Sequence, residues 1–251
     1  MRTHRRNMIA RRRRLLLDGS APDVNFTDVV LLLDMAGNDG DKALTDLSNL
    51  AQTITVSGTN HGVDETYSYF GSDTSYEVAG SDESIACPAF ESEHDLRDGD
   101  FTMEMDVRFS STPGAEWQTF MSKYQSPNDR NFIWGYNNGN MQFLWSTTGW
   151  SDTGTVNVAW TPSASTWYRI ALVRDGVNLH FYVDGTRIGT DTTISTDDMP
   201  VRGTAKLTMT RASSVAVNHF AGNMDNVRLT KGVARYTGES YTLDTEPFPT
   251  S

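Results

Sequence analysis

The chain has 251 residues, 37% of them hydrophobic and 21% charged, which suits one large domain with a full core and excludes a disordered chain. Its formal charge of −11 divides unevenly: residues 1–14 hold seven arginines and no acid, leaving 14 basic against 32 acidic residues, or −18, for the remainder. A body of that charge repels nucleic acid and anionic membrane, no apolar run is long enough to span a bilayer as a helix, and the lone Cys87 excludes an intrachain disulfide.

Residues 1–21 read as a basic arm. Arg13-Arg14-Leu15-Leu16-Leu17 starts like an export signal, but Asp18-Gly19-Ser20 ends the apolar run after three residues, where an export signal needs about seven or more. Arg11, Arg12, Arg13 and Arg14 with Leu15, Leu16 and Leu17 read instead as an anchoring segment, because the guanidinium fork grips carboxylates bidentately and stays charged. A nucleic-acid arm and a plain unfolded tail are the competing readings. Residues 22–251 read as one β domain. Residues 28–33 form a buried strand, 34–41 a loop rich in acids and glycine, 44–50 a short helix or turn capped by Thr45 or Asp46, and 52–56 a strand. Residues 64–106 hold 13 acids and one basic residue, Arg97, and read as a solvated, loop-rich face.

The clearest period of two follows. Phe101, Met103, Met105, Val107 and Phe109 turn to the core; Thr102, Glu104, Asp106 and Arg108 turn out, with Arg108 pairing Glu104 or Asp106. Residues 117–121, 131–136 and 141–145 are further strands, the last two joined by an Asn137-Asn138-Gly139-Asn140 turn. Residues 146–155 form a polar loop holding Trp150. Two β runs then flank Asp175-Gly176 and a third follows Asp184-Gly185; both dipeptides suit hairpin turns that need positive φ. In the second run Val177, Leu179, Phe181 and Val183 share a buried face, and Asn178, His180, Tyr182 and Asp184 share a half-wet one. Strands near 205–210, 215–220 and 223–230 and a surface tail with Pro247 and Pro249 complete the chain. No helical period of useful length occurs, so the fold class is all-β.

Three stretches resemble one family. They are the run Trp167-Tyr168-Arg169-Ile170-Ala171-Leu172-Val173-Arg174-Asp175-Gly176 with the following Val183-Asp184-Gly185, the Gly99-Asp100-Phe101-Thr102-Met103-Glu104 strand, and the Asn223-Met224-Asp225-Asn226-Val227-Arg228-Leu229 strand with Val233-Ala234-Arg235-Tyr236. In this order they resemble the laminin-G/concanavalin A-like jelly-roll domain of bacteriophage virion proteins. The resemblance implies an all-β, concanavalin A-like (laminin-G-like) jelly-roll β-sandwich with an extended basic N-terminal arm. It also implies a non-enzymatic virion structural protein of capsid-decoration or head-fibre type, anchored by the arm to other virion proteins, with an outward sandwich facing a host-surface glycan. The alternatives are a tail-associated host-glycan adhesin and a secreted carbohydrate-binding protein. A further target for the arm is the acidic 64–106 face of a second copy, which would make a homo-oligomer; membrane and nucleic acid are not expected partners.

The same resemblance frames the site residues. Glucanases of this class set catalytic carboxylates along one strand as Glu-x-Asp-x-Glu or Glu-x-Asp-x-x-Glu. Here Glu104 and Asp106 supply two, and Arg108 or Phe109 stands at the third position, so hydrolysis is not expected. Glycan-binding jelly rolls stack aromatic rings on sugars and use Asn for hydroxyls; Trp134, Tyr136, Asn138 and Trp150 are the candidates, with core filling the alternative. Many laminin-G-like domains carry one structural calcium. Asp34, Asp46 and Asp225 could meet as ligands if the first and closing strands are neighbours, and solvated loop acids are the alternative. The five histidines show no close metal spacing, and no Gly-x-Ser-x-Gly elbow or phosphate loop is present.

Overall fold

Phe101–Phe109 forms the strand (β6) at the centre of the fold, as its alternation predicts. The computed structural model describes residues 22–71, 73–80, 82–88, 93–125, 129–199, 205–212 and 219–251, and the proposed anchoring residues 11–17 lie outside them. One sheet runs β13 (Thr186–Thr193), β12 (Asn178–Val183), β11 (Trp167–Asp175), β6, β15 (Gly222–Lys231), β4 (Ser75–Val78) and β3 (His61–Asp64), with β1 (Val29–Leu33) also paired to β15. The other runs β10 (Gly154–Ala159), β9 (Asn140–Trp145), β8 (Asp129–Asn137), β7 (Gln118–Gln125), β14 (Leu207–Met209), β5 (Ser84–Ala86) and β2 (Thr55–Ser57). Neighbours are antiparallel, and the one helical element among the described residues is a 3-10 turn, Phe26–Asp28. The result is an all-β jelly-roll sandwich.

The facing layers meet in one core. Phe101, Met103, Met105, Val107 and Phe109 of β6 pack with Phe132, Trp134, Met141, Phe143 and Trp145 of β8 and β9. Each such side chain contributes about 1.5–3 kcal/mol when fully withdrawn from water. Turn chemistry sets the hairpins. Asn138-Gly139 and Asp184-Gly185 both take positive φ at each residue, the geometry of a two-residue hairpin loop. The expected Asp175-Gly176 turn is displaced by one residue: Asp175 pairs with Asn178, so the loop is Gly176-Val177 and Val177 is exposed rather than in the core.

Several expectations need correction. Of the helix or turn expected over 44–50 it is the turn that forms, at 48–50; Asp46 is buried and accepts the N–H of Leu32, Ser48 and Gln52, a side-chain route that competes with helical bonding. The acidic 64–106 stretch holds β4, β5 and the start of β6, and Asp64, Glu83 and Asp95 are buried in it. A charge count cannot say which carboxylates find donors: Asp64 accepts from Asn223 Nδ2 at 2.9 Å. Part of the loop expected over 146–155 belongs to β10, where Val156 and Val158 alternate with exposed Thr155 and Asn157. The strand expected near 215–220 falls largely on residues 213–218, outside those described.

The largest correction concerns the outer face of the first sheet. Thr102, Glu104, Asp106, His180 and Tyr182 were expected to be wet or half wet, and all are buried. The tail from residue 232 folds back over them. Gly232 N–H donates to Asp100 O, Thr102 Oγ1 donates to Val233 O, and Tyr182 donates its hydroxyl to Gly238 O at 2.7 Å. Ser240 bridges Thr186, and Tyr241 N–H donates to Gly185 O. Gly185 is required there: a Cβ would lie 2.5 Å from Tyr241 O. The tail ends beside the start of the domain, where Asp23 N–H donates to Ser251 O.

Candidate functional site

Beneath that tail lies a charged network built on β6, β11 and β15. Arg169 donates from Nε to Asp106 Oδ1 at 2.7 Å and from Nη2 to Oδ2 at 2.8 Å. Arg228 donates from Nε to Glu104 Oε1 at 2.7 Å and from Nη1 to Asp23 at 3.2 Å; Arg235 grips both oxygens of Asp23 at 3.0 and 2.8 Å. Tyr236 donates its hydroxyl to Glu104 Oε2 at 2.7 Å. The rings of Phe248, Tyr69 and Phe70 close over the guanidinium of Arg169, and Phe248 also covers Arg228 at 3.8 Å. The pairing expected between Arg108 and Glu104 or Asp106 does not form. Arg108 instead donates to Asn223 and lies 3.7 Å over Tyr67, because Arg169 and Arg228 from the neighbouring strands hold the two acids. Burial opposes ionisation of Asp23, but Arg235, Arg228 and the Asn25 N–H outweigh it and hold its carboxyl below the usual range.

A bulge in β15 places the third acid. Asp225 pairs with Asp106 and Arg228 with Glu104, so two residues, Asn226 and Val227, stand opposite Met105 alone, with Asn226 at positive φ. Asn226 then donates to Asp106 Oδ2 at 2.9 Å, and Asp225 accepts backbone N–H groups from Asn226 and Tyr69. Burial, Arg169 and Asn226 act against one another on Asp106, whose carboxyl is pushed up to about 6. Burial first, then the charges of Asp106 and Asp73, push Asp225 well above the ordinary 3.8. An acid so raised holds its proton more tightly folded than unfolded. Its stabilisation is complete below 3.8 and is lost as pH rises through the raised value. Asp225→Asn, which resembles the protonated form, is therefore expected to gain more stability over wild type at pH 8 than at pH 4 in chemical denaturation. A gain that is larger at pH 4 would show that the carboxylate is stabilised instead.

The residues proposed for a sugar surface separate. Trp134 and Tyr136 are buried at 0% and 4% exposure and point into the core; Trp134 meets Phe120 edge-on, and neither ring is placed to stack on a sugar. Asn138 is exposed in the β8–β9 turn. Trp150 is 55% exposed in the β9–β10 connection, at the opposite end of β9, a strand of six residues that spans about 20 Å. Its loop is tightly built: Ser146 Oγ accepts the Gly149 N–H, Thr148 Oγ1 accepts the Trp150 N–H, and Arg130 N–H donates to Gly149 O. Beside it Asp152 accepts Tyr124 Oη at 3.1 Å and Arg130 Nη1 at 3.2 Å. Trp117 and Leu144 pack on Tyr124 and Ile133 on the outer face of the same sheet. Arg130, Asp152 and Trp117 carry no periodic signal in the sequence; each is an aromatic or charged residue at or near a strand end, which local periodicity does not weigh.

The three acids suggested for calcium have separate surroundings. Asp34 accepts the Ala36 N–H, Asp46 holds its own loop, and Asp225 lies beneath Tyr69. Among the described residues no group of three or more His, Cys, Asp or Glu side chains is placed to hold a metal ion. No helix there is long and apolar enough to cross a membrane.

The sandwich, its sheet order and its closing strand define a jelly-roll β domain. Residues 79–234 match the Laminin_G_3 family of the concanavalin A-like lectin/glucanases superfamily, and the chain belongs to that family. No curated protein matches the sequence. Among solved structures, the chain is similar to the binding domain of Paraclostridial Mosquitocidal Protein 1, with TM-score 0.61 and 12% identity over 83% of this chain and 50% of that one. It is similar to the binding domain of botulinum neurotoxin DC solved with rat synaptotagmin II, with TM-score 0.61 and 11% identity over 83% and 49%. A third is domain 4 of AbnA, a GH43 extracellular arabinanase from Geobacillus stearothermophilus, solved with arabinotriose, with TM-score 0.58 and 13% identity over 82% and 94%. The chain spans about half the length of the two toxin domains, and at these identities the likeness is one of fold.

Proposed function

We propose that this protein is a non-enzymatic, glycan-binding sandwich of a bacteriophage virion, presented outward and held by its arginine-rich arm. The observation that carries the non-enzymatic part is the closed outer face of the first sheet. Glu104 and Asp106, the two acids of the glucanase-like strand, are fully buried, each locked by an arginine under residues 233–251. A general acid and its partner need a substrate between them and a path for water. The exposed aromatic at a pre-built polar loop is Trp150, and the likeness to a domain solved with arabinotriose supports a sugar as its ligand. The virion assignment rests on the resemblance of residues 223–236, strongest in Val233-Ala234-Arg235-Tyr236, and of residues 98–109 to phage proteins, and the arm's role on its seven arginines.

Glycan array binding tests the ligand class: the full chain is expected to bind a glycan without releasing reducing sugar, and Trp150→Ala is expected to weaken binding by roughly 1–3 kcal/mol. Silence across the array, or sugar release that Glu104→Gln abolishes, overturns the reading. For the arm, deleting residues 2–17 is expected to leave a folded sandwich that no longer co-sediments with particles. Full occupancy of the truncated protein on particles would make the sandwich itself the anchor.

A further inference from the structure

Building on the glycan-binding reading, we infer that the ligand is an uncharged, extended glycan lying across the outer face of β8, β9 and β10, from Trp150 towards the Asn138 turn. Three observations converge. The face is open at β10, where Thr155, Asn157 and Ala159 point outward and are exposed while Val156 and Val158 fill the core. It is largely uncharged: the outward residues of the three strands include Asn137, Asn140, Gln142, Thr155 and Asn157 beside the apolar Ile133 and Leu144, and Arg130 of β8, next to the Trp150 loop, is paired with Asp152. The register puts Gly135, Gln142 and Asn157 in one row across the strands, so the Gln142 and Asn157 amides stand side by side on β9 and β10.

The charge distribution selects among sugars. Arg130, the cation beside Trp150, is held by Asp152 at 3.2 Å, and Asp152 also takes the Tyr124 hydroxyl. A carboxylated or sulfated sugar arriving there would have to displace that pair, and it would approach a body whose residues 15–251 sum to −18. Hydroxyl groups need only the donors and acceptors that amides supply, and a ring face needs only Trp150. A run of about 20 Å between the two ends of β9 accommodates several sugar units rather than one terminal residue.

The test uses the full chain in affinity electrophoresis against neutral polysaccharides (a β-glucan, a galactomannan, an arabinan) and acidic ones (alginate, hyaluronate, polysialic acid), at low and high salt. Retardation by a neutral polymer, indifferent to salt, is expected. Trp150→Ala and the double variant Gln142→Ala/Asn157→Ala should each weaken it roughly tenfold or more while leaving the melting temperature near that of wild type. Tighter, salt-sensitive binding to an acidic polymer overturns the inference and leaves the glycan-binding reading standing. No retardation by any polymer overturns both. Neutral binding that survives both variants moves the site elsewhere and overturns the placement. Loss of self-association in Trp150→Ala, with no glycan bound, makes the face a contact between copies and overturns the inference as well.

Discussion

Replacing Arg169 with methionine is expected to destabilise the domain by about 3–5 kcal/mol, on the order of 10 °C in melting temperature for a domain of this size. The guanidinium is 1% exposed and bidentate to Asp106, which is 0% exposed and has Asp225 opposite it across the strand pair. Removing the cation leaves two buried carboxylates facing each other with only Asn226 and backbone N–H groups to satisfy them. The rings of Tyr69, Phe70 and Phe248 lie over the guanidinium itself, so methionine gives up those cation–π contacts together with the ion pair, and the loss reports both. The double replacement Arg169→Met/Asp106→Leu is expected to recover much of the loss, because a buried ion pair exchanged for apolar groups of similar size is often neutral. A single variant that costs less than about 1 kcal/mol would place this pair in the class of solvent-exposed bridges and sink the account.

Trp134→Ala is expected to cost about 3–5 kcal/mol in stability, while Trp150→Ala is expected to stay within about 0.5 kcal/mol. The two tryptophans differ in environment: Trp134 is sealed among Phe120 and its core neighbours, and Trp150 stands 55% exposed on a loop. Equal losses in denaturant unfolding would contradict that division. The pair also marks where local pattern carries information and where it does not. In β6 apolar and polar residues alternate, and the core face is readable. In β8 the sequence Phe132-Ile133-Trp134-Gly135-Tyr136 offers an apolar residue or none on both faces. Parity correctly puts Trp134 and Tyr136 on one side, but nothing local says that this side is the inside.

The outer face of β6 likewise departs from its local pattern. Thr102, Glu104 and Asp106 alternate as a wet face should, and in an isolated sheet they would be wet. What buries them comes from far along the chain: Tyr236 reaches Glu104 across 132 positions and Arg235 reaches Asp23 across 212. The jelly roll itself was legible because its turns and its β6, β11 and β15 strands each carry a local signal. The candidate surface was legible only in part, through Trp150 and Asn138, because Gln142 and Asn157 become neighbours through a register no single strand encodes.

The closure of the tail over the first sheet has a kinetic consequence. β6, the hub of that sheet, pairs with β11 at moderate separation, but β1 and β15 join residues about 200 positions apart, for example Leu31 with Leu229. Contacts of that span pay loop-closure entropy before they return any energy, and chains rich in them fold slowly. Before β15 and the tail dock, Glu104 lacks its Arg228 and Tyr236 partners and Asp106 lacks Asn226. Refolding is then expected to show an early phase, reported by Trp134 as the β7–β10 sheet packs, and a later one in which Asp23, Arg228, Arg235 and Tyr236 lock together. That late phase should slow at high salt, because long-range attraction between the acidic face and the arriving arginines is screened beyond roughly 8–10 Å.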